Sequence, residues 1–382
     1  MNTVKWRMSR WQVLLLVFTL GVCVSPFDAA TIFVPVLGAR GTWWGVVPML
    51  AGGLLGILVV STLVRRFHGI PLDQAVQGIL GPVVGFAYLA VLALLLLTAA
   101  PVNLAVFVST AHAVMLPRLP HAYGAVMVGL TGVYAAACGP EAIGRCVSVL
   151  APAMLVGLAA VFLPLPLESH LGFLLPVQVP TRTEWLSPPV LAGAGLVRGF
   201  LPLLVLGPFT RQPVATGRAV LLNTLAWLLV AAAVVLPVAI FDAPLDHQMS
   251  LPFLSAEETL YWRWLPIRNL APVTLLLWYM VSFITFATYL WMGTWLVRRL
   301  FPALPDQWTT VVLGIGGVAA GSLDVAKPSV HTALVFWNLA VVVLGVLVPA
   351  ALCLLSRGKQ AGDMRAPREA QKQAGTESAP AG

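Results

Sequence analysis

The chain has 382 residues, of which 59% are hydrophobic and only 9% are charged, and its mean hydropathy is +0.91. Soluble domains carry about 25% charged residues, so this composition excludes a soluble enzyme and a nucleic-acid-binding protein and predicts an integral membrane protein. The formal net charge of +8 is therefore not interpreted as a nucleic-acid-binding surface.

A membrane-spanning helix needs about 20 apolar residues, and the apolar stretches predict ten such helices, called spans 1 to 10 below. Their predicted bounds are 11–36, 43–64, 81–115, 122–138, 141–163, 189–209, 219–240, 269–297, 308–322 and 331–355. The stretches are too long and too uniformly apolar to be barrel strands. The predicted fold class is all-α, with one transmembrane domain over 1–355 and a polar, disordered cytoplasmic tail over 356–382.

The distribution of basic residues predicts the orientation of these spans. Fifteen lysines and arginines flank the side that holds both termini, and six flank the other side. The positive-inside rule therefore places both termini in the cytoplasm. The basic and then apolar start of the chain also resembles a signal peptide. Its apolar stretch continues to Val36, however, and we expect it to be retained as span 1.

Two outer loops are long, at about 164–188 and 241–268. In the second loop Ser255 is followed by the acidic Glu257 and Glu258, a pattern typical of a helix start. It predicts a short external helix from Glu257 to Trp264. The four cysteines lie within or at the ends of apolar stretches, and we expect no disulfide framework.

The chain lacks the motifs of an enzyme or of a cofactor site. It has no glycine-rich phosphate loop, no metal-ligand spacing of His, Cys and Asp, and no nucleophile elbow. His112, late in span 3, is the one histidine placed to line a cavity, although a position near the outer interface explains it better. We therefore expect no enzymatic activity and no cofactor.

Two charged residues, Asp28 and Arg198, lie inside spans 1 and 6. A charge near the centre of a membrane costs from about 2.5 to more than 10 kcal/mol, so it normally faces a cavity or a partner. Both spans also contain residues that break helices: Pro26 in span 1, and Pro202 with three glycines in span 6. Interrupted spans at corresponding positions of two halves indicate a binding site near the membrane midplane. Because each half would have five spans, the halves must be inverted.

Several interpretations of these two charges stay open. Asp28 and Arg198 can line a ligand site, or they can form a structural ion pair that fixes span 1 against span 6. If span 6 begins later than predicted, Arg198 reaches the outer surface instead. Asp28 as a relay for protons or cations is a further alternative. The glycines alone favour close helix packing.

Seven short segments then carry a resemblance to a known family. They are WQ at 11–12, RRFHG at 65–69, ILG at 79–81, LPRLP at 116–120, GPEAIGR at 139–145, LPV at 175–177 and PFTRQP at 208–213. In order and spacing they are similar to the spore germination permeases, the GerAB-type B subunits of germinant receptors. The resemblance covers roughly Trp11 to Leu355.

The resemblance implies the fold of the amino acid/polyamine/organocation transporters, a LeuT-like five-plus-five inverted repeat in which spans 1 and 6 are broken. It implies a small germinant, commonly an amino acid, bound between the broken spans. It also implies partner A and C subunits in the inner membrane of a bacterial spore.

The departures from the family pattern fall on the site itself. Where the family usually has Gly-x-Gly in span 1, this chain has Cys23-Val24-Ser25, and Asp28 replaces a frequent threonine or serine. A frequent Gly-x-Glu in span 6 is Gly199-Phe200-Leu201 here, with Arg198 just before it. The predicted site residues are Cys23, Val24, Ser25, Asp28, Gly195, Arg198 and Gly199.

Three hypotheses for the function follow from these features. The first is a germinant sensor that signals to partner subunits when its ligand favours one packing of the broken spans. The second is a secondary transporter that moves an amino acid together with a cation or proton. The third is a scaffold subunit with a degenerate site. Asp28 can receive the ammonium group of an amino acid while Arg198 binds its carboxylate, or the two charges neutralise each other and the cavity binds no amino acid.

Overall fold

The structure is a computed structural model, and it describes residues 8–23, 25–114, 118, 120–176, 178–242, 251–259, 271–323 and 328–357. Side chains are described for these residues except at 25, 27, 28, 31, 39, 114, 271, 306, 307 and 328–331. The regular elements within these ranges are helices, and an isolated β-bridge joins Met8 to Thr210. The fold class is all-α, as predicted.

Sixteen α-helices are described, and each predicted span overlaps one of them or a consecutive pair. Their bounds are α1 (Arg10–Val22), α2 (Ser25–Leu37), α3 (Val46–Arg66), α4 (Leu72–Leu80), α5 (Pro82–Val114), α6 (His121–Ala137), α7 (Pro140–Phe162), α8 (Arg182–Trp185), α9 (Pro188–Ala192), α10 (Phe200–Leu206), α11 (Thr216–Phe241), α12 (Pro252–Thr259), α13 (Ala271–Leu300), α14 (Asp306–Gly321), α15 (Pro328–Val342) and α16 (Val348–Leu355). Span 1 is the pair α1 and α2, span 6 contains α9 and α10, and span 10 is α15 and α16 joined by a π-helical turn, Val343–Leu347.

Six helical stretches are long and apolar enough to cross a membrane, and the pair formed by α9 and α10 makes a seventh. The six are Arg40–Arg66, Pro82–Ala113, Pro140–Glu168, Thr216–Phe241, Pro272–Leu300 and Thr332–Leu355. The two parts of the seventh, Pro188–Gly195 and Phe200–Phe209, meet at an angle of 48°. Together with the composition, these spans identify an integral membrane protein.

Helix α13 lies at the centre of the bundle. Its most apolar window is 72% buried within the protein, against 50% or less for the other five stretches. It packs along α5 and also contacts α1, α6, α7, α10 and α14. The residues of α13 that face inward are therefore in a position to meet both broken spans.

The two ends of the bundle are each fastened by ion pairs or hydrogen bonds. One end carries α4 and is called the α4 end. There the Nε of Arg299 lies 3.8 Å from a carboxylate oxygen of Asp73, and Arg66 donates a hydrogen bond of 2.9 Å to the Cys353 carbonyl. At the opposite end, called the α12 end, Arg40 and Asp242 form an ion pair of 3.3 Å. These contacts tie together segments that are far apart in the chain.

The short helices differ from the predictions. The external helix begins at Pro252 and includes Glu257 near its middle, so the predicted start at Glu257 is wrong; residues 260–264 lie outside the described part of the chain. Ser255 does not cap this helix, because its own backbone N–H donates to the Leu251 carbonyl at 3.1 Å. Proline is favoured in a first helical turn, and Pro252 occupies that place. Helix α4 was not predicted.

Candidate ligand-binding site between two helix breaks

The break in span 1 is held by contacts from two other spans. Helix α1 ends at Val22, and the next residue, Cys23, leaves the helical region with a φ of −2° and a ψ of −129°. The Cys23 carbonyl accepts a hydrogen bond of 2.7 Å from the indole N–H of Trp278 in α13. Its thiol donates to the Asn103 side-chain oxygen in α5 at 2.9 Å. A carbonyl freed by the interruption thus has a partner, as a buried backbone group requires.

The break in span 6 extends over residues 196–199, between a 3₁₀ turn at Gly193–Gly195 and the start of α10. Glycine is needed at both edges of this break for steric reasons. A Cβ at Gly195 would overlap the backbone carbonyl of Asn338 in α15. A Cβ at Gly199 would overlap the Val17 carbonyl of α1 and the Asn223 side-chain oxygen. The break in span 6 is thereby pressed against span 1 and span 10.

Arg198 lies within this break, and only 1% of its surface is exposed. Its Nε donates to the Gly195 carbonyl at 3.2 Å, and its Cζ lies 4.5 Å from the centroid of the Trp337 ring. Nη1 and Nη2 have no hydrogen-bond partner among the described residues. A buried guanidinium whose two terminal nitrogens have no partner in the described part of the protein is suited to bind a carboxylate, which accepts parallel hydrogen bonds from such a fork.

Tyr289 of α13 brings the two breaks into one neighbourhood. The side chain is fully buried, and its hydroxyl lies within electrostatic reach of the Arg198 guanidinium and, more weakly, of the Cys23 thiol. Three other hydroxyls of α13, those of Thr274, Ser282 and Thr285, are buried and make no well-formed hydrogen bond in the described part of the protein. Helix α13 therefore carries several buried hydroxyl groups in addition to that of Tyr289.

The structure describes four of the seven predicted site residues completely. Cys23 follows the last residue of α1, Gly195 ends the 3₁₀ turn before the break in span 6, and Arg198 and Gly199 lie within that break. Val24 lies outside the described residues, and the side chains of Ser25 and Asp28 in α2 are not described. Contact between Asp28 and Arg198 thus stays a prediction. The alternative in which Arg198 reaches the outer surface is wrong, because the side chain is buried at the break.

Six further residues at this site were missed from the sequence. They are Asn103, Asn223, Trp278, Tyr289, Trp337 and Asn338. Three of them are asparagines inside apolar spans, and a polar residue within a span is itself a signal of function or of interhelical contact. The aromatic residues gave no such signal, because tryptophan and tyrosine are common in spans.

Metal ligation finds no support in the described residues, in which no three His, Cys, Asp or Glu side chains come together. The polar groups at the breaks are instead amide, hydroxyl, indole and guanidinium groups. Such groups bind organic ligands through hydrogen bonds and charge.

Comparison with known proteins supplies both a family and a fold. A family model described as a spore germination protein matches residues 7–324. Among curated proteins, none matches the sequence.

Three transporters are among the solved structures that are similar to this one. MhsT in complex with L-phenylalanine has a TM-score of 0.68 at 14% identity, with 94% of this chain and 91% of that chain covered. Mhp1, a nucleobase-cation-symport-1 family transporter with bromovinylhydantoin bound, has a TM-score of 0.60 at 16% identity, with 87% and 75% covered. A manganese transporter of Eremococcus coleocola has a TM-score of 0.58 at 14% identity, with 90% and 76% covered. The protein has the LeuT-like fold of these transporters, as predicted.

Proposed function

The chain belongs to the spore germination protein family, the GerAB-type permeases, and from this premise we propose that it is the membrane subunit of a germinant receptor. It binds a small germinant, an amino acid, between the broken spans 1 and 6. Binding signals to partner A and C subunits in the inner membrane of a bacterial spore. Both termini face the cytoplasm, so the α12 end faces outward.

The observation that carries this proposal is the buried guanidinium of Arg198. Its two terminal nitrogens have no partner among the described residues, and a buried donor left without a partner costs about 1–3 kcal/mol, more when it is charged. A ligand carboxylate would remove that cost. The ring of Trp337 covers the guanidinium and is held by its own hydrogen bond to Thr98, 3.2 Å long.

The other proposed site residues surround this anchor. Asp28 would receive the ammonium group of the amino acid, and backbone groups at Cys23, Val24 and Ser25 would act as further ligands, as exposed backbone does at interrupted helices. Gly195 and Gly199 would keep the break in span 6 close to spans 10 and 1. Two of the LeuT-like transporters above also hold small organic molecules, L-phenylalanine and a hydantoin.

Signalling would follow from the same arrangement. Gly199 and Arg198 lie against α1 and α15, so a ligand that draws the breaks together favours one packing of these helices over another. A ligand shifts such an equilibrium only by its difference in affinity for the two states. Partner subunits that contact the moving helices would then respond to the shift.

A thermal-shift screen of the detergent-purified protein against L-amino acids, simple sugars and nucleosides tests the proposal. At a hundredfold excess over its Kd, a ligand of the folded state adds about 2.7 kcal/mol of stability. We expect a saturable shift with an L-amino acid that Arg198→Ala abolishes. Arg218→Ala is the matched control. The Cζ of Arg218 also lies over a tryptophan ring, 5.0 Å from the centroid of Trp11, but Arg218 is exposed.

Two results would contradict this assignment. One is a shift that Arg198→Ala leaves unchanged, which would place the ligand elsewhere. The other is a protein that responds to sugars or nucleosides but to no amino acid, which would remove the role of the carboxylate.

A secondary transporter of amino acids is the second candidate, and the shared fold with MhsT and Mhp1 favours it. Counterflow separates the two candidates. The protein is placed in liposomes that are preloaded with the amino acid that stabilises it in the thermal-shift screen. If the protein is a transporter, these liposomes should accumulate the labelled amino acid. A receptor subunit would bind the same ligand with no counterflow, and its activity would require co-expressed partner subunits.

A further inference from the structure

Glu257 is a buried acidic residue at the α12 end, outside the membrane-spanning helices. It lies near the middle of α12 and is 0% exposed, whereas its neighbour Glu258 is exposed. The Thr274 hydroxyl interacts with the Glu257 carboxyl, but neither carboxylate oxygen makes a well-formed hydrogen bond within the described ranges. A carboxylate in such a place must either carry a proton or bear the large cost of a buried charge.

The surroundings of Glu257 are apolar. Helix α12 packs on α11, α13 and α2, and Phe253, one turn before Glu257, stacks on Phe162 with ring centroids 5.1 Å apart. The polar group nearest in α13 is the Thr274 hydroxyl, which is buried as well. Apolar packing of this kind favours the neutral acid over the carboxylate.

Phe253 also connects α12 to the break in span 1. Its ring lies 6.1 Å from the ring of Trp278 in an edge-to-face arrangement. The indole N–H of Trp278 donates to the Cys23 carbonyl at that break. Docking of α12 therefore supports the residue that holds the span 1 break in place.

Burial raises the pKa of Glu257 from 4.5 to about 8; the Thr274 hydroxyl lowers it and the negative charge of Glu258 raises it. The elements packed against α12 carry few other charges. Helix α11 carries Arg218 in its first turn and is followed by Asp242, which is paired with Arg40. Helix α13 carries Arg298 and Arg299 in its last turn, and α2 carries Asp28, whose side chain is not described.

We propose that Glu257 is a proton-binding site, and that docking of α12 onto the broken span 1 takes up one proton from solution. With the proton bound, the neutral carboxyl is buried against Phe253 and Thr274. When the proton leaves, the charged carboxylate favours water, and α12 detaches from α2 and α13. The α12 end thus closes in acid and opens in alkali, whether or not a ligand is bound.

The direction of the pH dependence follows from linkage. In the undocked state Glu257 has its ordinary pKa of 4.5, and in the docked state its pKa is about 8. Docking is therefore fully favoured below pH 4.5 and weakens by about tenfold per pH unit until the pH passes the docked-state pKa. Above that pH Glu257 is ionised in both the docked and the undocked state, and docking no longer depends on pH.

Infrared spectroscopy of the full chain in phosphatidylcholine nanodiscs tests the protonation directly. The wild-type protein should keep the C=O stretch of one protonated carboxylic acid at neutral pH and lose it near pH 8. Glu257→Gln should lack this band, and the matched control Glu258→Gln should retain it. If the wild-type protein lacks the band at neutral pH, or Glu257→Gln retains it, the proposal is wrong.

Thiol labelling tests the movement. Leu254 of α12 is buried, so a cysteine at this position is labelled only when α12 is undocked. Thr259 is exposed, so a cysteine there measures the intrinsic reactivity of the thiol at each pH. In protein with Cys138, Cys146 and Cys353 replaced by alanine, the labelling rate of Leu254→Cys divided by that of Thr259→Cys should rise steeply with pH. Adding Glu257→Gln should make this ratio low and independent of pH. A ratio with the same pH dependence in both proteins would refute proton-linked docking.

Discussion

The two helix breaks lie side by side, yet their polar groups differ in how far the protein itself satisfies them. At the break in span 1, the Cys23 carbonyl accepts a hydrogen bond of 2.7 Å from Trp278. The Cys23 thiol donates one of 2.9 Å to Asn103. At the break in span 6, the Nε of Arg198 has a partner, but its two terminal nitrogens have none among the described residues. One break is closed by neighbouring spans, and the other retains a buried cation whose terminal nitrogens find no partner in the described part of the chain.

This difference indicates that the break in span 1 has a structural role and that the break in span 6 binds the ligand. A buried charge without full compensation lowers stability, and proteins retain such strain chiefly where function needs it. The break in span 1 therefore acts as a fixed wall, whereas the break in span 6 supplies the charge that a ligand would neutralise. Each prediction below tests one side of this comparison.

The largest effect is expected from Arg198→Met, which removes the buried charge and keeps much of the volume. The variant should be more stable than the wild-type protein by about 1–4 kcal/mol without ligand, and it should not respond to an amino acid. Unfolding of the two purified proteins in detergent measures this difference. A loss of stability would instead indicate that the guanidinium is already paired, as in the alternative with Asp28, and Asp28→Asn would then show a similar loss.

Trp278→Phe tests the opposite side of the comparison. It leaves the Cys23 carbonyl buried without its donor and should lower the free energy of unfolding by about 1–3 kcal/mol. The same unfolding measurement applies. Trp227→Phe is a useful reference, because its indole N–H also donates to a backbone carbonyl, that of Val46, at 2.9 Å, but far from the breaks in sequence. An unchanged stability for Trp278→Phe would show that the span 1 break does not depend on this bond.

Gly199→Ala tests how closely the two breaks approach each other. The added Cβ would overlap the Val17 carbonyl and the Asn223 oxygen, and overpacking of this kind costs about 1–3 kcal/mol. Gly316→Ala is the matched control, since no atom lies within 4 Å of a Cβ at Gly316. Thermal unfolding should show a loss for the first variant only. Equal stabilities would mean that the breaks separate easily.

The smallest effect is expected at Cys23. Cys23→Ala removes the thiol donor to Asn103 and should lower stability by about 0.5–1.5 kcal/mol, whereas Cys23→Ser keeps a donor and should lose less. Chemical denaturation of the three proteins measures the order. If the serine variant is the less stable of the two, the hydrogen bond to Asn103 is not what fixes this side chain.

Much of the fold was predictable, because long apolar stretches determine where spans lie. The positions of the breaks were predicted less well. Pro26 and Pro202 are among the residues predicted to interrupt the spans, but each lies in the first turn of the helix that follows its break, where proline is tolerated. The breaks lie earlier in the chain, at Cys23 and at 196–199, and the predicted residues Cys23, Gly195 and Gly199 lie at or beside them.

The site was predictable only where a residue was unusual for a membrane. Arg198 was found because a charge inside a span is costly, and the same argument would have found Asn103, Asn223 and Asn338. Trp278 and Tyr289 were not predictable, since their roles depend on α13 passing both breaks at the centre of the bundle. No local pattern in span 8 indicates that position.

The most direct test of the central claim is a double-mutant cycle between Arg198 and the carboxylate of the ligand. The affinities of wild-type protein and Arg198→Ala are measured for the amino acid found by the screen and for its neutral carboxamide. If Arg198 binds the carboxylate, each change alone should cost about 2–5 kcal/mol, and the two together should cost no more than one. Additive losses would contradict the account, because they would show that the guanidinium and the carboxylate do not meet.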